Sequence, residues 1–176
     1  DLSRGDYIQY FDADDIMHPD KIASQVEALR EYHFQDDIVA TGRWYRFQKS
    51  IEDAGLIKLV ISKSYNNKFH FFQDSWENVQ NMLGQAYLIS RKINEKTGGW
   101  NTNLKKNQDG EFFTRIVYNA EKIIFVNDII VYYRSNVTNS ISSNQTFSGM
   151  RSHLDSYNIY HSLVENDIDR YALYKP

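Results

Sequence analysis

Tyr7-Ile8-Gln9-Tyr10-Phe11-Asp12-Ala13-Asp14-Asp15 is a short run of aromatic and β-branched residues that stops in three carboxylates. Bounded by Gly5-Asp6 on one side and by the acids on the other, it reads as a buried strand that delivers its carboxyl end to a loop. Acids packed this closely repel one another unless a positive charge lies between them. Mg²⁺ and Mn²⁺ favour carboxylate oxygens and commonly share one or two protein carboxylates with substrate phosphates. Open α/β sheets also bind ligands just beyond the carboxyl ends of their strands. The residues alone allow a plainer reading as well: an acidic turn opening a helix, where Asp suits the cap and the first turn.

Composition narrows the field. With 176 residues the chain is long enough for one domain with a sizeable core. A hydrophobic fraction of 41% and a charged fraction of 24% argue against wholesale disorder. The net charge is −3 with no long Lys or Arg run, which speaks against a dedicated nucleic-acid binder. The absence of cysteine excludes disulfides, zinc–thiolate sites and thiol nucleophiles. No stretch approaches the ~20 apolar residues of a membrane span and no signal peptide is visible, so the chain reads as soluble and cytoplasmic. Aromatic residues make up 15%, which suits a cleft that stacks on sugar rings and suits a Tyr-rich core equally well.

Working outward, His18-Pro19-Asp20 opens a helix that runs to about His33, with Ile22, Val26, Leu29 and Tyr32 as its core stripe. His18 could approach a cation at the acidic loop or sit at the surface beside its proline. Ile38–Phe47 reads as a strand whose Arg43, Tyr45 and Phe47 oppose Trp44 and Arg46, one face buried and one wet. Residues 48–71 are either a set of ligand contacts or a variable surface excursion. Within them Gly55–Ile61 is a candidate strand, Ser62–Lys68 a loop, and a short helix follows from about Ser75 to Met82. Leu83–Ser90 predicts a strand entering a helix of Arg91 to Lys96, closed by Gly98-Gly99. A helix from Asp109 to about Asn119 turns Phe112, Phe113, Ile116 and Val117 inward. Ile123–Val126 and Ile129–Arg134 read as two short strands. A last helix spans Ser148 to about Tyr174, with His153, Tyr157, Tyr160, Leu163 and Val164 as a rough stripe. Asn136-Val137-Thr138 and Asn144-Gln145-Thr146 match N-glycosylation patterns, chance matches without a secretory signal.

The Tyr7–Asp15 run, followed by Pro19-Asp20-Lys21 and Gln25-Val26, resembles the central motif of the family 2 glycosyltransferases. Leu83-Gly84-Gln85-Ala86, Gly98-Gly99-Trp100-Asn101, Gln108-Asp109-Gly110-Glu111 with Arg115, and Tyr132-Tyr133-Arg134 resemble its acceptor half and closing strand. The resemblance implies an α/β, partial GT-A fold: a mixed central sheet with helices on both faces. It implies an inverting transferase that takes a sugar from a nucleoside-diphosphate sugar donor and places it on a glycan or glycolipid acceptor. Asp12, Asp14 and Asp15 would hold Mg²⁺ or Mn²⁺, and Asp109 would be the general base. Gly84, Gln85, Trp100, Gln108, Glu111 and Arg134 would line the donor and acceptor sites. The family often has Glu where this chain has Gln108, a departure that removes one charge and leaves the base in place.

On the residues alone, Asp109 is a helix cap with Glu111 in the first turn, Trp100 a core plug, and Arg134 the partner of a core carboxylate. The resemblance further implies cell-envelope or capsular polysaccharide synthesis, at or near the cytoplasmic face of a membrane. The early position of the acidic strand, with Asp1–Asp6 reading as the tail of a preceding helix, implies a fragment. Roughly 90 residues of nucleotide-binding βαβ units would be missing, so the fragment alone would turn over little or nothing. Residues 1–147 would then be the catalytic portion and 148–176 a helical segment packed on it. Two other readings compete: a non-catalytic glycan-binding or scaffolding module, and a haloacid-dehalogenase-like phosphohydrolase.

Overall fold

A computed structural model describes residues 3–135 and 146–171. Its centre is a parallel pair, β3 (Ile38–Phe47) and β6 (Lys122–Arg134). Antiparallel β2 (Ile16–Met17) lies on the outer edge of β6, and antiparallel β4 (Gly55–Leu56) on the outer edge of β3, giving the order β2-β6-β3-β4. A separate antiparallel pair, β1 (Tyr7–Ile8) with β5 (Ile89–Ser90), joins this sheet through mutual hydrogen bonds between Ala40 and Leu88. The mixed sheet is the expected one.

Both faces of β3 are buried, as a central strand requires. Ile38 and Ala40 pack with Leu88, Ile124 and Leu29 under α1 (Lys21–Arg30). Val39 and Trp44 point the other way, into a larger core. There they meet α2 (Lys68–Glu77), α3 (Arg91–Thr97) and α4 (Gln108–Asn119) through Phe69, Phe72, Ile93, Phe112 and Ile116. The last helix, α5 (Phe147–Tyr171), lies along α4.

Several sequence expectations change. Asp12–Asp15 does follow a strand, but the ladder covers only Tyr7–Ile8 and both residues are half-buried. Ser3–Asp6 is a bend rather than the tail of a helix; Arg91 holds it through the Ser3 and Gly5 carbonyls. The two strands expected at 123–126 and 129–134 are one. The register jumps from Gly42↔Val126 to Arg43↔Ile130, so the extra residues bulge out of an unbroken β6. Gly42 makes room for that bulge, since a Cβ there would collide with the Ile129 side chain. The same shift breaks the alternation expected in β3, and Trp44 and Phe47 are both buried. Gly55–Ile61 shrinks to a two-residue strand, the helix near residue 75 starts earlier at Lys68, and Leu83–Ser90 is a 3-10 turn at Gly84–Ala86 before β5. On α5 the buried seam is Ser152, Ser156, Tyr160 and Val164, while Tyr157 is exposed. The two N-glycosylation patterns and the helix end beyond Tyr171 lie outside the described residues.

Candidate active site

The loop between β1 and β2 carries the acids. Asp15 N–H bonds back to the Asp12 carbonyl, closing a turn, and β2 then anchors the loop against Tyr132 and Val131 of β6. Asp15 folds inward. Its Oδ1 accepts from the Arg134 backbone N–H at 2.8 Å, and its Oδ2 is buried without a hydrogen-bond partner. Burial, opposed by that hydrogen bond and reinforced by Asp14 and Asp12, pushes its carboxyl up to about 6. The Arg134 side chain lies over the Phe47 ring and donates Nε–H to the Asp14 carbonyl at 3.0 Å. Asp12 accepts from the Gln85 side-chain amide. Burial raises its pKa first, then the charges of Asp14 and Asp109, with the Gln85 bond pulling the other way.

Asp109 reaches this field from the opposite wall. Asn107, in the left-handed conformation at φ 61°, turns the chain into α4 and places Asp109, exposed, in the first turn. The Tyr133 hydroxyl is raised by burial and then by Asp15, with smaller contributions from Asp109 and Asp14 and an opposing one from Arg46. One tyrosine thus feels the acids of both walls.

An aromatic junction ties the walls together. Tyr10, two residues before Asp12, meets Trp100, Phe112 and Phe113 edge-on, with ring centroids 5.5, 5.3 and 6.2 Å apart. Trp100 stacks on Phe112 at 4.3 Å and keeps 38% of its surface exposed, so it packs on the core and still meets solvent.

A family model described as glycosyltransferase like family 2 matches residues 1–170. The chain belongs to that family. Its fold also matches a crystal structure of Staphylococcus aureus TarS (residues 1–349, in complex with UDP-GlcNAc) at a TM-score of 0.63 and 12% identity, over 95% of this chain and 50% of that one. This chain therefore spans about half the length of that relative. A comparison with curated protein sequences finds no match.

The family 2 domain thus brings Asp12, Asp14, Asp15, Gln85, Trp100, Asp109 and Arg134 to one region of the fold. Gln108 is half-buried at the start of α4. Gly84 contributes space rather than a contact, since a Cβ there would strike the Phe113 ring. Glu111 lies in the core beneath the start of α4. It is 2% exposed and bound by Arg115 through both carboxylate oxygens, and Arg115 also holds the Thr97 and Gly99 carbonyls of the Gly-Gly turn. Both its oxygens are taken up by that clamp. His18 Nδ1 accepts from the Asp20 N–H at 3.3 Å and belongs to the start of α1. Sequence reasoning overlooked Asn107, Tyr133 as a neighbour of the acids, and Tyr160, whose hydroxyl meets Asn107 and feels Asp109. Only the Tyr132-Tyr133-Arg134 stretch carried a visible signal.

Proposed function

We propose that this domain serves a metal-dependent, inverting transferase that moves a sugar from a nucleoside-diphosphate donor to a hydroxyl of a glycan or glycolipid. The observation that carries this reading is the packing of Tyr10, two residues before Asp12, on Trp100 and Phe112, the latter three residues after Asp109, which brings the acidic loop and the start of α4 to one region. Asp12 and Asp14, with Asp15 beside them, would hold Mg²⁺ or Mn²⁺. The donor set fits: the charge of Asp14 disfavours ionisation of both Asp12 and Asp15, and a buried Asp15 oxygen lacks a hydrogen-bond partner. Among the described residues no three His, Cys, Asp or Glu form a metal site by themselves. An ion shared with a diphosphate requires only one or two of the protein's carboxylates. When bound, such an ion offsets the charge on the departing nucleoside diphosphate.

The protein's own residues supply the rest. Asp109 takes the acceptor hydroxyl proton as that oxygen bonds to the anomeric carbon and the carbon–phosphate-oxygen bond breaks. Asp109 is exposed in the first turn of α4, open to a bound acceptor as a general base must be. The exposed part of the Trp100 ring suits contact with the C–H groups of a sugar. Arg134 retains guanidinium donors with the fork geometry that suits phosphate oxygens. With Glu111 committed to Arg115, no second carboxylate on α4 stands ready as a nucleophile. A single displacement then inverts the anomeric centre, by analogy with glycoside hydrolysis. TarS, with its bound UDP-GlcNAc, supports a nucleoside-diphosphate sugar as donor. Envelope or capsular polysaccharide assembly at the cytoplasmic face of a membrane is the setting the family suggests.

The test is Asp109→Asn in the enzyme that carries this domain, assayed for nucleoside diphosphate release and for Mn²⁺–UDP binding. Transfer should fall by about 100-fold or more while binding stays within about threefold of wild type. Transfer that survives Asp109→Asn, or Mn²⁺–UDP binding that survives Asp14→Asn, rejects the assignment.

A further inference from the structure

Lys21 is fully buried on the inner face of α1, and its partners are neutral amides: the ammonium donates to Gln9 Oε1 and to Gln25 Oε1, the latter at 2.7 Å. An ammonium has three donors and no acceptor, so both glutamines must turn their oxygens toward it and their nitrogens away. Those nitrogens then meet successive carbonyls of the Gly84–Ala86 turn. Gln9 Nε2 donates to the Gln85 carbonyl at 3.0 Å, and Gln25 Nε2 to the Ala86 carbonyl at 2.8 Å. The side chain of the residue so held, Gln85, donates to Asp12 Oδ2.

We infer that Lys21 is a positioning residue for the donor side: through Gln9 and Gln25 it fixes the Gly84–Ala86 turn, and through Gln85 it sets where the Asp12 carboxylate points. The inference rests on the reading of Asp12 given above. Stability alone is a poor reason for a lysine here. A buried cation without a carboxylate partner is costly, and an apolar side chain of similar volume is often neutral or better. Burial accordingly pulls its pKa down to about 7.

The experiment compares wild type with Lys21→Met, both in the enzyme that carries this domain, in two readouts. One is the side-chain amide of Gln85 in ¹⁵N-labelled protein, by chemical shift and hydrogen exchange; the other is Mn²⁺–UDP affinity by calorimetry. In Lys21→Met the Gln85 amide should move toward solvent-exposed shifts and exchange at least about tenfold faster, with affinity weakened about five- to tenfold. Gln85→Met should weaken binding by the same factor, and the double variant no further, because both act through one contact. An unchanged Gln85 amide, or losses that multiply in the double variant, overturns the inference. If the amide responds but neither wild type nor variant binds Mn²⁺–UDP, the clamp stands and the donor reading of Asp12 falls instead. Should Lys21→Met fail to fold, Gln9→Met cuts the same path at a half-buried residue and is read identically.

Discussion

Asp15 and Glu111 are both acids removed from water, and their neighbours give them opposite consequences. Asp15 has one backbone donor, an unpartnered oxygen and two acidic neighbours, so folding disfavours its ionised form. Its folded pKa of about 6 lies above the ordinary aspartate value of 3.8, so its penalty is absent below pH 4, grows between pH 4 and 6, and is complete above. Asp15→Asn should therefore raise stability at pH 7.5 by about 1–2 kcal/mol, allowing for solvent screening. Thermal melts across pH 4–8 should show the gain shrinking to nothing at the acid end; a pH-independent gain would mean that the carboxylate is not strained. Glu111 is fully compensated by Arg115. Arg115→Met strands that buried charge and frees the Gly-Gly turn, and should cost about 3 kcal/mol in urea unfolding. A loss under 1 kcal/mol would show the clamp to be ornamental. Both acids stand in motif positions, yet nothing in the motif says which one faces a ligand, because that depends on partners far away in the chain.

α1 and the Gly84–Ala86 turn show how far elements can be read. The apolar residues Ile22, Val26 and Leu29 place α1 correctly, but of them only Leu29 is fully buried, and the innermost face is Lys21, Gln25 and Leu29. Periodicity ranks residues by hydropathy, so it skips polar side chains that enter the core because amides and carbonyls await them there. α4 was legible throughout, since Phe112, Phe113, Ile116 and Val117 bury the face that their spacing predicts. β6 was not, because its bulge depends on Gly42 in another strand. The turn itself was misread as strand, and Gly84 explains why it must be a turn packed under α4. Gly84→Ala presses a methyl into the Phe113 ring and should cost about 1–3 kcal/mol. Because Gln85 is adjacent, Mn²⁺–UDP affinity should fall with it. Isothermal titration on folded protein separates the two effects, and wild-type affinity in this variant would mean that the turn adjusts without moving Gln85.

At the scale of the whole molecule the two walls of the site come from chain segments that share no strand ladder, so packing must set their separation. The junction of Tyr10 with Trp100, Phe112 and Phe113 performs that task, and Tyr10 Oη–H also donates to Asn94 on α3 at 2.8 Å. Tyr10→Leu removes the edge contacts and the hydroxyl bond, at a cost of about 1–2 kcal/mol. Phe72→Leu, in the α2 part of the core and stacked on Trp76, should cost a similar amount without touching either wall. If the junction spaces donor and base, the two variants should melt at similar temperatures yet differ in catalysis. Well below both melting points Tyr10→Leu should lose about tenfold in kcat, because an ångström of misplacement between reacting groups weighs heavily on the transition state. Phe72→Leu should keep wild-type kcat. Equal kcat in the two variants would mean that the walls are positioned by the strands and helices themselves, and that the aromatic junction contributes stability alone.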